Sequence, residues 1–246
     1  MDCSKQSAPF FVCLIPEDRL RLGKVQIICV FPFLAVSLQP NMKRILRIIF
    51  VALYIAVAIA SCTGAWLYGT RFWLYFTNLG NIYCLGMMII ELVRLIRRQP
   101  ISIGLMQWEF GGLISIIVIS VVYNLLLGDP TTAAYWTNWP SIGLHLITPI
   151  LYTLYFIVTR PMRKVGVGGI QCSILLPYLY IAFIFLRYYF TGEEWFPYFF
   201  LDISRIGMHG VLMWIIALTL VFELVGVAFI YCGRHATKKQ RSKLPL

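Results

Sequence analysis

Six stretches of this chain stay apolar for about twenty residues each, the length a helix needs to cross hydrocarbon. They cover roughly 45–68, 72–93, 110–128, 139–159, 170–190 and 206–231. None shows the strict alternation of an outer-membrane barrel strand. Composition agrees, with 60% of the 246 residues hydrophobic and 13% charged, where an average soluble domain carries about 25% charged. Mean hydropathy is +0.79. The expected fold class is all-α, a polytopic membrane protein with six transmembrane helices.

The net charge of +11 invites a nucleic-acid partner, but its distribution does not. The cations fall in short clusters between apolar runs: Lys43, Arg44 and Arg47; Arg94, Arg97 and Arg98; Arg160, Arg163 and Lys164; then the tail "RHATKKQRSK". The alternate loops, "GDPTTAAYWTNWP" and "TGEEWFPYFFLD", are acidic or neutral and rich in Trp and Tyr. Basic loops remain cytoplasmic and aromatic belts mark interfaces. Both termini are therefore expected in the cytoplasm, and the localisation expected is a bacterial cytoplasmic membrane. The seven cysteines contain no CxxC and predict neither a disulfide framework nor a cysteine zinc site. No cofactor is expected.

The first 41 residues fit less well. "VQIICVFPFLAVSLQ" is only 15 residues long and contains Pro32, whereas "MKRILRIIFVALYIAV" from Met42 has the form of an initiator, cations and a span. Residues 1–41 are expected to be a non-essential extension, 42–232 the six-helix transmembrane domain and 233–246 a basic cytoplasmic tail.

Strong polar groups cluster at one depth. Thr77 and Asn81 are four apart on span 2 and share a helical face, with Asn78 beside them. Span 4 places His145 at a similar depth and Thr148 one turn deeper; span 3 contributes Asn124 and span 5 Arg187. Span 6 opens with Asp202, Arg205 and His209 at spacings that share a face. The other halves of the spans read as apolar apart from Glu91 and Glu223. Polar groups are costly facing lipid and turn inward. Pro149 has no N–H to give to the carbonyl of His145, four residues back, so the helix is loosened there. A hydroxyl beside an imidazole is the minimum of a nucleophile–base pair, and nearby amides can hold an oxyanion. Thr77, His145 and the pair Asn78/Asn81 supply those groups. Asp202, Arg205, His209 and Arg187 are further orienting candidates, with a salt-bridged cap of the span ends as their alternative.

"YFTN" opening span 2, "HLITP" in span 4 and "WFPYFFLD" before span 6 resemble motifs of the androgen-induced gene family of multi-pass hydrolases. They are also similar to motifs of related bacterial membrane proteins. The resemblance covers roughly 45–231. It implies a threonine hydrolase of fatty acid esters of hydroxy fatty acids, with Thr77 as nucleophile and His145 as base. The expected partner is a lipid ester drawn from the outer leaflet, with "EEWFPYFF" at the mouth.

Two other classes compete. His145 and His209 can ligate haem, or zinc together with Asp202. A transporter or lipid-binding protein without chemistry is favoured by Glu223, since lone intramembrane carboxylates mark proton paths. The alternative for Glu223 is an ion pair with a cation such as Arg94.

Overall fold

The computed structural model describes residues 40–161 and 164–241, and the expectation for residues 1–41 falls almost wholly outside them. The fold is all-α, with six helices long and apolar enough to cross a membrane. Helix α1 spans Pro40–Tyr68, and a 3-10 turn at Phe72–Leu74 leads into α2, Phe76–Ile96. Helix α3, Ile103–Val122, runs on through a π turn at Tyr123–Leu127. Two short helices follow, α4 (Ala133–Thr137) and α5 (Trp139–Ile142). A second π turn, Gly143–Ile147, joins α5 to α6, Thr148–Thr159, completing the fourth span. Helices α7 (Val167–Thr191) and α8 (Ile203–Arg241) complete the bundle.

Helix α3 is the axis, in contact with α2, α6, α7 and α8. In its most apolar stretch 50% of residues are buried, against 17% for α8. Lipid tails are as apolar as leucine, so such helices associate through close packing and polar bonds rather than a hydrophobic drive. Small residues supply the close packing. A Cβ on Gly111 would lie 2.9 Å from the backbone of Cys172 in α7. One on Gly143 would lie 1.9 Å from Ser61 Oγ in α1.

Three span boundaries move from their expected places, each with a consequence. Span 3 begins at Ile103 rather than near 110 and so takes in Glu109. The Phe72–Leu74 turn stands apart from span 2, after Arg71 at φ 62. In α8, Gly207 adopts φ 69 and ψ 165, a conformation open to glycine, and interrupts the helix. Asp202, Arg205 and His209 therefore do not form the continuous helical face their spacing suggests.

Candidate functional site

Proline explains most of the polar layer. Pro149 can serve neither the carbonyl four residues back, His145, nor the one five back, Leu144, which a π turn would ask of it. The wide turn closes instead through the Thr148 N–H on Gly143 O. Neighbouring side chains then donate to the orphaned carbonyls. Asn81 Nδ2 reaches Leu144 O at 3.2 Å. Ser120 Oγ reaches His145 O at 2.5 Å and Asn124 Nδ2 does so at 3.2 Å. Thr148 Oγ1 donates to Gly143 O at 2.9 Å and lies 2.6 Å from Asn81 Oδ1. Asn81 is 0% exposed, and its amide also donates to Thr77 O at 2.9 Å. Unsatisfied backbone in hydrocarbon is severely penalised, and these residues remove that penalty.

Two oxyanion candidates are thus already engaged. Asn81 spends its donors on two carbonyls, and Asn78 Nδ2 donates to Phe72 O at 2.8 Å, tying the 3-10 turn to α2.

His145 sits in the π turn, buried, with its ring stacked on Tyr123 from the other π turn at 3.4 Å between centroids and 12° between planes. Its Nδ1 lies 2.8 Å from Ser141 O. A carbonyl only accepts, so Nδ1 carries the proton and Nε2 the lone pair. Ser141 Oγ donates to the Tyr123 hydroxyl at 2.7 Å and lies 3.2 Å from Nδ1. Tyr135 Oη completes the cluster by donating to Asn124 Oδ1.

Thr77 is half-buried on the wall of a partly open cavity of about 80 Å³ between α2, α3, α7 and α8. Phe76, Val118, Ile119, Ile181, Ile215 and Phe222 make much of the lining. Polar groups are few: Thr77, Thr219 and the phenols of Tyr123, Tyr178, Tyr180 and Tyr198. The Thr77 amide donates to Tyr198 Oη at 3.4 Å. Burial raises the Tyr198 phenol above its ordinary pKa, against the lowering effect of its neighbours Thr77 and Phe76. Among the described residues no hydrogen bond joins Thr77 to His145. The link is Tyr123, which lines the cavity and stacks on the imidazole.

The remaining candidates lie elsewhere. Asp202 caps α8, accepting from the Ser204 amide at 3.0 Å, the Ser204 hydroxyl at 2.5 Å and the Arg205 amide at 3.2 Å. Arg205 and His209 are exposed. Arg187 bonds Glu193 and the carbonyl of Trp195 rather than Asp202. Arg71 also reaches Glu193, at 3.2 Å, and lies over the Trp195 ring. Among the described residues no three His, Cys, Asp or Glu side chains gather as a metal site.

At the opposite end the structure holds a charge cluster that the sequence pattern conceals. Arg160, 5% exposed, pairs with Glu109 at 2.5 and 2.7 Å and with Glu91 at 2.8 Å. Arg94 pairs with Glu91 at 2.8 and 2.7 Å rather than with Glu223, and Tyr155 Oη donates to Glu91. Two cations that read as loop charges are therefore ion-pair partners, Arg160 buried and Arg94 half-buried. The signal was present: Glu91, Glu109 and Arg160 fall at one level once span 3 begins at Ile103.

No family profile, curated protein or solved structure matches the chain.

Proposed function

We propose that this chain is an intramembrane hydrolase of lipid esters, with Thr77 as nucleophile and His145 as base, as the resemblance to the androgen-induced gene family implies. One observation carries the reading: Thr77 stands on the wall of a mostly apolar cavity inside a membrane bundle. An acyl chain suits such a lining, since ligand sites are mostly apolar with a few polar groups that orient the ligand. The Thr77 oxygen attacks the acyl carbon as its proton passes to His145 Nε2, directly or through one water. The ester C–O bond breaks, and that proton leaves with the alcohol. Water then cleaves the acyl-threonine, releasing the acid and restoring the hydroxyl. In this reading both termini are cytoplasmic and the cavity opens towards the outer leaflet.

A second reading, acyl-lipid binding without chemistry, is favoured by the lack of a Thr77–His145 hydrogen bond among the described residues. Labelling with a fluorophosphonate probe separates the two, using equally folded wild type, Thr77→Ala and His145→Ala. Labelling of wild type that both substitutions abolish supports the hydrolase. No labelling of wild type, beside a reactive control hydrolase, rejects it in favour of binding.

A further inference from the structure

The attack on an ester leaves a negative oxygen that needs a donor; Asn81 has given both its N–H groups to backbone carbonyls, and Asn78 is held by Phe72 O. Of the phenols on the cavity wall, Tyr180 donates to Leu74 O at 2.8 Å, Tyr178 pairs with Thr219 Oγ1 at 3.0 Å, and Tyr123 accepts from Ser141 of α5 but has no hydrogen bond to Thr77 among the described residues. Tyr198 differs. Its oxygen accepts from Thr77 at 3.4 Å, and a phenol that accepts still has its own proton to give. The ring is fixed by a parallel stack on Phe200, with centroids 5.0 Å apart, and by edge contacts with Tyr75 and Tyr180. A donor held this way needs little reorganisation during the reaction, which is what makes oxyanion stabilisation effective.

We propose that Tyr198 is a further catalytic residue, its O–H donating to the acyl oxygen as Thr77 attacks. This rests on the hydrolase reading above. The phenol keeps its proton throughout: the hydrogen bond strengthens as charge develops on the oxygen and relaxes as the C–O bond breaks. Burial, which raises the phenol's pKa, keeps it in the donating form.

The test is steady-state hydrolysis of p-nitrophenyl dodecanoate in detergent micelles by wild type, Tyr198→Phe, Tyr189→Phe and Thr77→Ala. Tyr198→Phe keeps the ring packing and is expected to lower kcat by about 10²–10³, with KM within about twofold. Tyr189→Phe, which removes an exposed hydroxyl of α7 that does not line the cavity, is expected to stay within about threefold of wild type. An active wild type with Tyr198→Phe equally active overturns the proposal and leaves the hydrolase reading standing. A rise in KM with kcat unchanged also overturns it, assigning Tyr198 to binding. A wild type that is inactive, or no more active than Thr77→Ala, overturns both. Should Tyr198→Phe melt below wild type, difluorotyrosine at position 198 preserves the ring and changes only donor acidity. A changed kcat then supports the role, and an unchanged one overturns it.

Discussion

Replacing Arg160 with methionine should be among the most damaging single changes to this bundle. Arg160 holds both oxygens of Glu109 and one of Glu91, with each of the three residues nearly or wholly enclosed. Its loss affects the two carboxylates unequally. Glu91 keeps two bonds from Arg94 and one from Tyr155. Glu109 has no other side-chain bond among the described residues and is left as a buried, unpaired charge. Breaking such a pair from one side costs about 3–5 kcal/mol. For a bundle of this size that is about 6–20 °C in melting temperature. Glu109→Gln removes the stranded charge, so Arg160→Met combined with Glu109→Gln should melt above Arg160→Met alone. Arg94→Met should do less harm than Arg160→Met, because Glu91 retains Arg160. The assay is loss of the monodisperse peak after heating in detergent, across wild type and the three variants. The reasoning fails if Arg160→Met melts within about 2 °C of wild type, or if adding Glu109→Gln brings no recovery.

Thr148→Val should destabilise by about 1–3 kcal/mol, since it removes the hydroxyl shared between Asn81 Oδ1 and Gly143 O and leaves Asn81 Oδ1 without a donor, whereas Thr148→Ser should stay near wild type in the same melt. Gly143→Ala should cost about 1–3 kcal/mol by overpacking, and Ser61→Gly in the same chain should recover most of it by clearing the clash. The Asp202 carboxyl is held below its ordinary range, first by the Ser204 hydroxyl and then by the amides of Arg205 and Ser204. Its pKa is lowered on folding, so its contribution is present above the unfolded value near 3.9 and lost as pH falls through the folded one. Melting curves of wild type and Asp202→Ala should differ at neutral pH and converge on acidification below about pH 4.

The six spans are legible because hydrocarbon imposes length and apolarity residue by residue, and no distant contact is needed to see them. Pro149 likewise announced a loosened backbone at His145. The answer to that loosening is not legible: nothing in the spacing marks Ser120 or Asn124 as donors to the fourth span, and Asn81 reads as an oxyanion donor. Which carbonyl an amide serves depends on how α2 and α3 lie against the fourth span, and spacing along one helix cannot supply that. Glu109 stayed hidden because the polar run Gln107–Glu109 looks like a loop until Ile103 begins a helix. Gly207 gives no signal either: a lone glycine is common in membrane helices, so the spacing of Asp202 and His209 still reads as one face. Tyr198 was one ring among many in an aromatic segment, and only its approach to Thr77 sets it apart.

The wide turn at Gly143–Ile147 acts as a phase shifter. It holds one residue more than an α-helical turn, so everything beyond it is rotated by about 100° relative to a continuous helix. Thr148 meets Asn81, and Tyr152 and Tyr155 turn towards α3 and Glu91, only in that rotated frame. Deleting a single residue between Ser141 and Thr148 would leave the span apolar and long enough to cross a bilayer. It would also swing Thr148, Tyr152 and Tyr155 about a quarter-turn from their partners together. One inserted position therefore sets the alignment of the polar layer with the charge cluster at the other end of the same span.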